Sequence, residues 1–378
     1  MKTFCKIAVF ALFFAPLLLY NGNGLAENAG DGSPRSAILI EAKTGRVLYE
    51  RNAHEPLPMA STTKIMTALV ALENGNLNEP VTTGRNAFGV PGTSIYLSLG
   101  EQLPLIDMLY GLMLASGNDA AVAIAEHIGG DVDGFCKMMN ERAADIGCED
   151  TVFSTPHGLP ADNHHTTASD LALIAREAMQ NPTFREIVST QRASIPWAER
   201  GYDRILNNKN KLLSEYPGAI GVKTGYTKAA GRCLVFAAER DGLELIGVVL
   251  NCPNWFQEAA AILDRGFENW QMVSLLSKGE TVRTIPVTNG VRASVRVVAS
   301  DDVSAPVRVD AWPDLLIDLP ETLDAGIKQG QAIGTAKLVD AGQTLITVPL
   351  VDAESVPERS FRYGWQRLIG AWPLAAGE

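Results

Sequence analysis

An α/β chain of the α+β kind is what the order of patterns in these 378 residues predicts: an antiparallel sheet covered by helices, followed by a small all-β domain. Three observations carry that expectation. Strand-like runs occur at 36–50 and return at 232–251; a block of helical periodicity lies between them; and beyond about Lys278 the helical pattern gives way to short Val/Ile/Thr-rich runs. Strands at both ends of a helical block imply one sheet in which the N-terminal hairpin joins the later strands.

The elements follow in order. Lys2 and Lys6, an apolar run from Ile7 to Tyr20 broken by Pro16, and Gly24-Leu25-Ala26 read as a signal peptide cleaved after Ala26. The run is short for a membrane span, and Cys5 precedes it, the wrong place for a lipid-modified cysteine. Residues 36–50 alternate and turn at Lys43-Thr44-Gly45. Ile65, Leu69 and Leu72, with Met66 and Val70, then give an amphipathic helix from Ser61 to about Asn74. Further helices are expected over Leu105 to Leu114, Asn118 to Ile128, Val132 to Ile146 and Ser169 to Met179, with a polar loop at 156–167. A strand-like run covers Ser194 to Ile205, and Asp241-Gly242 turns a hairpin between Leu234–Ala238 and Leu243–Leu250. A last helix is expected over Phe256 to Trp270.

The resulting division is a signal peptide at 1–26, a main domain at 27–275, a β-rich domain at 276–357 and a tail at 358–378. In the tail Phe361, Trp365, Leu368, Ile369 and Trp372 recur at helical spacing among Arg359, Arg362 and Arg367, and Pro373 ends the run. That pattern suits a helix lying in a membrane interface; a helix packed on the β domain is the alternative.

Composition narrows the partners. Without Lys2 and Lys6 the formal charge moves from −11 to −13, so an exported chain of this acidity is a poor nucleic-acid binder. Four cysteines remain, Cys136, Cys148, Cys233 and Cys252. The Asp241-Gly242 hairpin brings Cys233 and Cys252 near each other, as a disulfide or as two buried thiols. No pair has zinc-ligand spacing, and His164-His165 beside His157 reads as a polar loop, so no metal and no cofactor is expected.

Chemistry enters at Ser61-Thr62-Thr63-Lys64. Residues at i and i+3 of a helix are neighbours, so Ser61 and Lys64 can meet. Ser61 alone could be a helix N-cap. A capping box, however, wants Glu or Gln at the third position, and a charged Lys in the first turn is opposed by the helix dipole. The same field, with burial, would favour a neutral amine able to take the Ser61 proton. Two more short motifs follow, Ser116-Gly117-Asn118 between two helices and Lys223-Thr224-Gly225 just before a strand. Lys43-Thr44-Gly45 precedes the nucleophile at a hairpin tip and is assigned to the turn.

Ser-x-x-Lys, Ser-x-Asn and Lys-Thr-Gly in this order form the signature of the penicillin-interactive serine enzymes. The words around them, Pro58-Met59-Ala60-Ser61-Thr62-Thr63-Lys64, Leu114-Ala115-Ser116-Gly117-Asn118-Asp119, Pro156-His157-Gly158-Leu159 and Gly221-Val222-Lys223-Thr224-Gly225-Tyr226-Thr227, resemble the low-molecular-mass penicillin-binding proteins of the D-alanyl-D-alanine carboxypeptidase type. The resemblance is dense over about 30–275 and looser in the β domain and tail. It implies a serine β-lactamase/transpeptidase-like fold and removal of the terminal D-Ala from a peptidoglycan stem peptide ending in D-Ala-D-Ala. β-Lactam antibiotics would acylate the same serine, at the outer face of the bacterial cytoplasmic membrane.

The residue roles implied are specific. Ser61 is the nucleophile, Lys64 its base, and Ser116 a proton relay to the leaving amine. Asn118 binds the substrate amide and orients Lys64. Lys223 and Thr224 suit the substrate carboxylate, and Gly225 lets its backbone lie along the strand. The N–H groups of Ser61 and Tyr226 form the oxyanion hole. Lys209 aligns, with a one-residue shift, near a cationic position of some relatives; an ordinary exposed lysine is the alternative. Asp170 is read as structural. A β-lactamase or DD-endopeptidase would share the three motifs. Glu73-Asn74-Gly75-Asn76-Leu77-Asn78 is one residue too long for the class A deacylation word and lies before Ser116. A silent wall-binding scaffold is opposed by the intact reactive residues.

Overall fold

Two strand segments far apart in sequence meet in one sheet, and the helices between them cover it. The structure, a computed structural model, describes residues 32–197, 200–359 and 365. The expected signal peptide lies outside the described residues, as does the expected tail apart from residues 358, 359 and Trp365.

Strands β1 (Ser36–Glu41) and β2 (Val47–Arg51) form the N-terminal hairpin, with the tip at 43–45 closed by Glu41, whose carboxylate accepts the N–H groups of Lys43 and Thr44 at 2.8 and 2.7 Å. A 3-10 turn (Ala60–Thr63) leads into α1 (Lys64–Asn74). A small ribbon of β3 (Pro80–Thr82) and β4 (Gln102–Pro104) brackets a long loop before α2 (Leu105–Met113), α3 (Asn118–Gly129) and α4 (Val132–Ile146). Helix α4 has its limits written in the sequence: the Asp131 side chain accepts from Gly134 N–H and Gly147 turns left-handed at φ 93°. Thr167 caps α5 (Ala168–Gln180), accepting from Asp170 N–H. The Asp170 carboxylate instead reaches back to Asp150 N–H and Thr151 Oγ1, at 2.9 and 2.7 Å.

Helix α6 (Pro182–Ser189) was not expected, although its start is explicit: Asn181 accepts from Thr183 and Phe184 N–H, with proline in the first turn. The run expected as one strand from Ser194 to Ile205 is two, β5 (Arg192–Ile195) and β6 (Arg204–Asn207), paired antiparallel. Pro196 cannot donate to a ladder, and Gly201 takes φ 69°, so the chain turns there. After the short α7 (Leu212–Glu215) come β7 (Ala219–Thr227), β8 (Gly231–Arg240) and β9 (Leu243–Leu250), then α8 (Trp255–Asn269).

The five-stranded sheet runs β2-β1-β9-β8-β7, all neighbours antiparallel. Successive residues of β9 alternate between two cores: Ile246, Val248 and Leu250 pack with α1 to α6, and Leu245 and Val249 pack against Ile262 and Leu263 of α8. Both faces are covered, so the strand reads as an unbroken apolar run rather than an alternating one. Cys233 and Cys252 are both buried free thiols, each pushed up to about 12 by burial.

Beyond α8 the structure is all β, with β10 (Trp270–Leu276), β11 (Thr281–Thr288), β12 (Ser294–Ala299), β13 (Val303–Arg308), β14 (Asp314–Asp318), β15 (Leu323–Asp324), β16 (Ala332–Asp340) and β17 (Gln343–Asp352). Strand β10 pairs with β13, and the others form a sheet ordered β14-β16-β17-β12-β11-β15. The β1–β2 tip braces this part: Lys43 Nζ donates to Ser304 Oγ at 3.0 Å, and Arg46 stacks over Trp270 while bonding the Pro306 carbonyl and Asp340.

Asp352, at the end of β17, is 1% exposed, and among the described residues neither of its carboxylate oxygens has a hydrogen-bond partner. Burial raises its pKa to about 6. A carboxyl whose folded pKa lies above its unfolded value keeps its proton longer in the native state, so stability falls as pH rises from about 4 to about 6. Asp352→Asn is expected to stabilise by about 1–3 kcal/mol at pH 7.5 and by nothing at pH 4. Thermal melts of both proteins at the two pH values check this; a gain equal at both would contradict it.

Candidate active site

The nucleophile candidate lies where the chain changes from a strained turn to a helix. Ala60 has φ +49°, the 3-10 turn carries Ser61, and α1 begins at Lys64. No side chain caps this end. The cap reading of Ser61 therefore fails: Ser61 stands a full turn ahead of α1, with its hydroxyl 3.1 Å from Lys64 Nζ.

Lys64 is 0% exposed. Its Nζ also lies 2.7 Å from Asn118 Oδ1 and 2.6 Å from the His157 carbonyl oxygen. Both of those oxygens can only accept. Burial first, then the charges of Lys223 and Lys209, hold the Lys64 pKa well below its ordinary value, with Asp119 opposing. A neutral amine has two N–H bonds, and the two acceptors use them. In the neutral form the lone pair would face the Ser61 hydroxyl, 3.1 Å away.

Asn118 opens α3 and is itself fixed, because its Nδ2 donates to the Pro91 carbonyl at 2.6 Å. Ser116 sits in the turn just before, 3% exposed and at φ +64°, its carbonyl accepting from Thr93 Oγ1. Asp119 was not singled out in the sequence, yet it is the hub of this corner. Its buried carboxylate accepts from Ser94 Oγ and from the N–H groups of Ile95 and Leu97, so the 93–97 segment wraps the Ser116 turn. The only sequence signal for it was an acidic residue in the first turn of α3.

Strand β7 closes the other side. It is an edge strand, and a Cβ on Gly225 would lie 2.9 Å from Ser61 N and 3.0 Å from Thr62 N. Only glycine lets the strand come this close to the nucleophile turn. Lys223 is 2% exposed with its pKa lowered to about 7, by burial and then by Lys209. Its Nζ donates to the Thr224 carbonyl at 3.1 Å, and Thr224 is also buried. The Tyr226 ring is 62% exposed, while its backbone continues the edge beside Gly225. Lys209 is exposed, yet its charge reaches both buried lysines. Among the described residues no cluster of three His, Cys, Asp or Glu could hold a metal ion.

Residues 24–254 match the family described as D-alanyl-D-alanine carboxypeptidase. The chain belongs to that family. Residues 270–358 of this carboxypeptidase match a second family, the C-terminal domain of penicillin-binding protein 5. It is 32% identical to the D-alanyl-D-alanine carboxypeptidase DacF of Bacillus subtilis over 97% of each chain, and 31% identical to DacC of Escherichia coli over 94% of this chain and 91% of that one. Penicillin-binding protein 5 of Haemophilus influenzae superposes with a TM-score of 0.73 at 28% identity, covering 87% of this chain and 99% of that one. A Streptomyces K15 DD-transpeptidase mutant superposes with a TM-score of 0.60 at 35% identity, covering 63% of this chain and 99% of that one.

The electrostatics of the carboxypeptidase make one expectation sharp. Asn118→Asp would place a carboxylate against Lys64 Nζ, favour the ammonium and raise the lysine pKa. The rise of D-Ala release with pH is then expected to move to higher pH, with activity at pH 7 at least about tenfold lower and partly recovered in base. A pH–rate profile unchanged in position would contradict a neutral Lys64.

Proposed function

We propose that the protein is a serine DD-carboxypeptidase that removes the terminal D-Ala from peptidoglycan stem pentapeptides through an acyl-enzyme on Ser61. The observation that carries the reading is the buried Lys64 amine, held by two oxygens that can only accept, with Ser61 Oγ as its third neighbour. Lys64 takes the Ser61 proton as Oγ attacks the carbonyl of the D-Ala-D-Ala bond. The N–H groups of Ser61 and Tyr226 receive the oxyanion, and Ser116 passes a proton to the departing amine. Water then cleaves the ester. Asn118 holds the substrate amide, Lys223 and Thr224 hold the terminal carboxylate, and Gly225 gives the extended substrate access to the edge of β7. Penicillins, which carry a strained amide and a carboxylate, acylate Ser61 in the same way.

The domain plan belongs to this proposal. Residues 1–26 direct export and are removed, 27–275 carry the chemistry, 276–357 form the β-rich domain, and 358–378 attach the enzyme to the outer face of the cytoplasmic membrane. Among the described residues no helix is long and apolar enough to cross a membrane. Support for an interfacial attachment is the Arg and Trp pattern of 359–372. Deleting residues 359–378 is expected to shift the protein from the membrane fraction to the soluble one; a wild type already soluble would remove the anchor.

The central test is D-Ala release from an acyl-D-Ala-D-Ala peptide together with labelling by a fluorescent penicillin. Ser61→Ala is expected to abolish both, and retention of either would refute the mechanism. Penicillin turnover faster than peptide turnover would make the protein a β-lactamase instead. Because Lys223 loses its charge as pH passes about 7, kcat/KM for the peptide should fall above that value. Lys223→Arg, which stays protonated, should flatten that limb.

A further inference from the structure

His164 is a buried side chain, 7% exposed, that the reaction above does not use. Its Nδ1 accepts the Ser154 N–H at 3.0 Å, so the ring proton belongs on Nε2. Nε2 lies 3.0 Å from Thr63 Oγ1, and the Thr63 hydroxyl donates onward to the Ala60 carbonyl at 2.8 Å. The chain of bonds therefore has one consistent direction: Ser154 N–H to the ring, ring N–H to Thr63, Thr63 O–H to Ala60. Burial lowers the ring pKa to about 4, which keeps this single tautomer across the neutral range.

Both ends of the chain meet the reacting groups. Ala60 is the residue just before Ser61 and holds φ +49°, an unfavourable conformation for alanine that its surroundings must impose. The other end is the loop at 154–164, which presents the His157 carbonyl to Lys64 Nζ. Gly158 of that loop, at φ +85°, lies so close to the Ala60 carbonyl and Thr63 Oγ1 that a Cβ would overlap them. Thr67 Oγ1 adds a bond to the Pro156 carbonyl at 2.6 Å, and Leu57 pairs with Thr166 behind the ring.

We propose that His164 is a positioning residue for acylation, clamping the 154–164 loop onto the nucleophile turn so that Ser61 Oγ and the His157 carbonyl address Lys64 together. The inference rests on the serine acyl-enzyme reading. Gln at this position can return the donor to Thr63; Asn returns only the acceptor for Ser154.

Stopped-flow acylation by a fluorescent penicillin, on full chains counted by active-site titration, separates the binding constant from the acylation step. His164→Ala and His164→Asn are expected to slow acylation about 10- to 100-fold with binding changed less than threefold. His164→Gln is expected within about fivefold of wild type. The proposal is overturned if His164→Ala acylates at the wild-type rate per titrated site, if Gln is as slow as Ala, or if the loss lies in binding. A wild type that takes no label would sink the underlying reading instead. Should His164→Ala not fold, the comparison of Gln with Asn still decides.

Discussion

The structure depends on an amine buried among neutral acceptors, which disfavours its charge. An ammonium at the depth of Lys64 would carry a desolvation penalty of several kcal/mol unless a counter-charge met it. Instead its polar neighbours are the Ser61 hydroxyl, the Asn118 amide oxygen and the His157 carbonyl. All three are neutral. The arrangement favours the deprotonated base that a serine nucleophile requires and is a poor arrangement for stability alone, which is how functional sites differ from cores. Each of the three neighbours comes from a different stretch of chain, so the α1 turn, the start of α3 and the 154–164 loop must all be in place before the base exists.

The same reasoning explains the second lysine and the edge strand. Lys223 is buried too, and its lowered pKa of about 7 leaves it near the balance between charged and neutral forms. The charge of Lys223 disfavours that of Lys64, and Lys209 acts on both. A substrate carboxylate arriving at Lys223 would pull it back towards the ammonium. Strand β7 delivers Lys223 and Gly225 from the sheet's edge, where its outer backbone groups pair with no other strand among the described residues.

How much of this the sequence revealed follows from where each signal resides. Helix α4 was legible to its end residues because Asp131 and Gly147 write its caps locally, and the joining of the N-terminal hairpin to the later strands followed from strands flanking a helical block. The Ser61–Lys64 contact was legible because helical spacing makes it local. The sequence marks 156–167 as a polar loop and Pro156-His157-Gly158-Leu159 as a word of the resemblance, without showing what the loop touches. Its bonds to the α1 turn span about a hundred residues, as with Thr63 and His164, and no local pattern encodes them. Asp119 was passed over for the same reason: its partners at 94–97 belong to a loop without periodicity. The 194–205 run misled because β propensity persisted across a turn marked only by Pro196 and Gly201.

Topology also separates the chemistry from the β-rich part. The hairpin tip that braces it, through Lys43 and Arg46, belongs to β1 and β2. From there β9 and β8 intervene before β7 reaches Ser61. Displacements at the brace must cross strands whose side chains are locked in two cores, Ile246 and Val248 on one face and Leu245 and Val249 on the other. The brace is polar and half-buried, with Arg46 and Asp340 at 22% and 13% exposure. Such a polar contact adds little to the stability of either part and serves mainly to fix how the hairpin tip meets the β-rich strands.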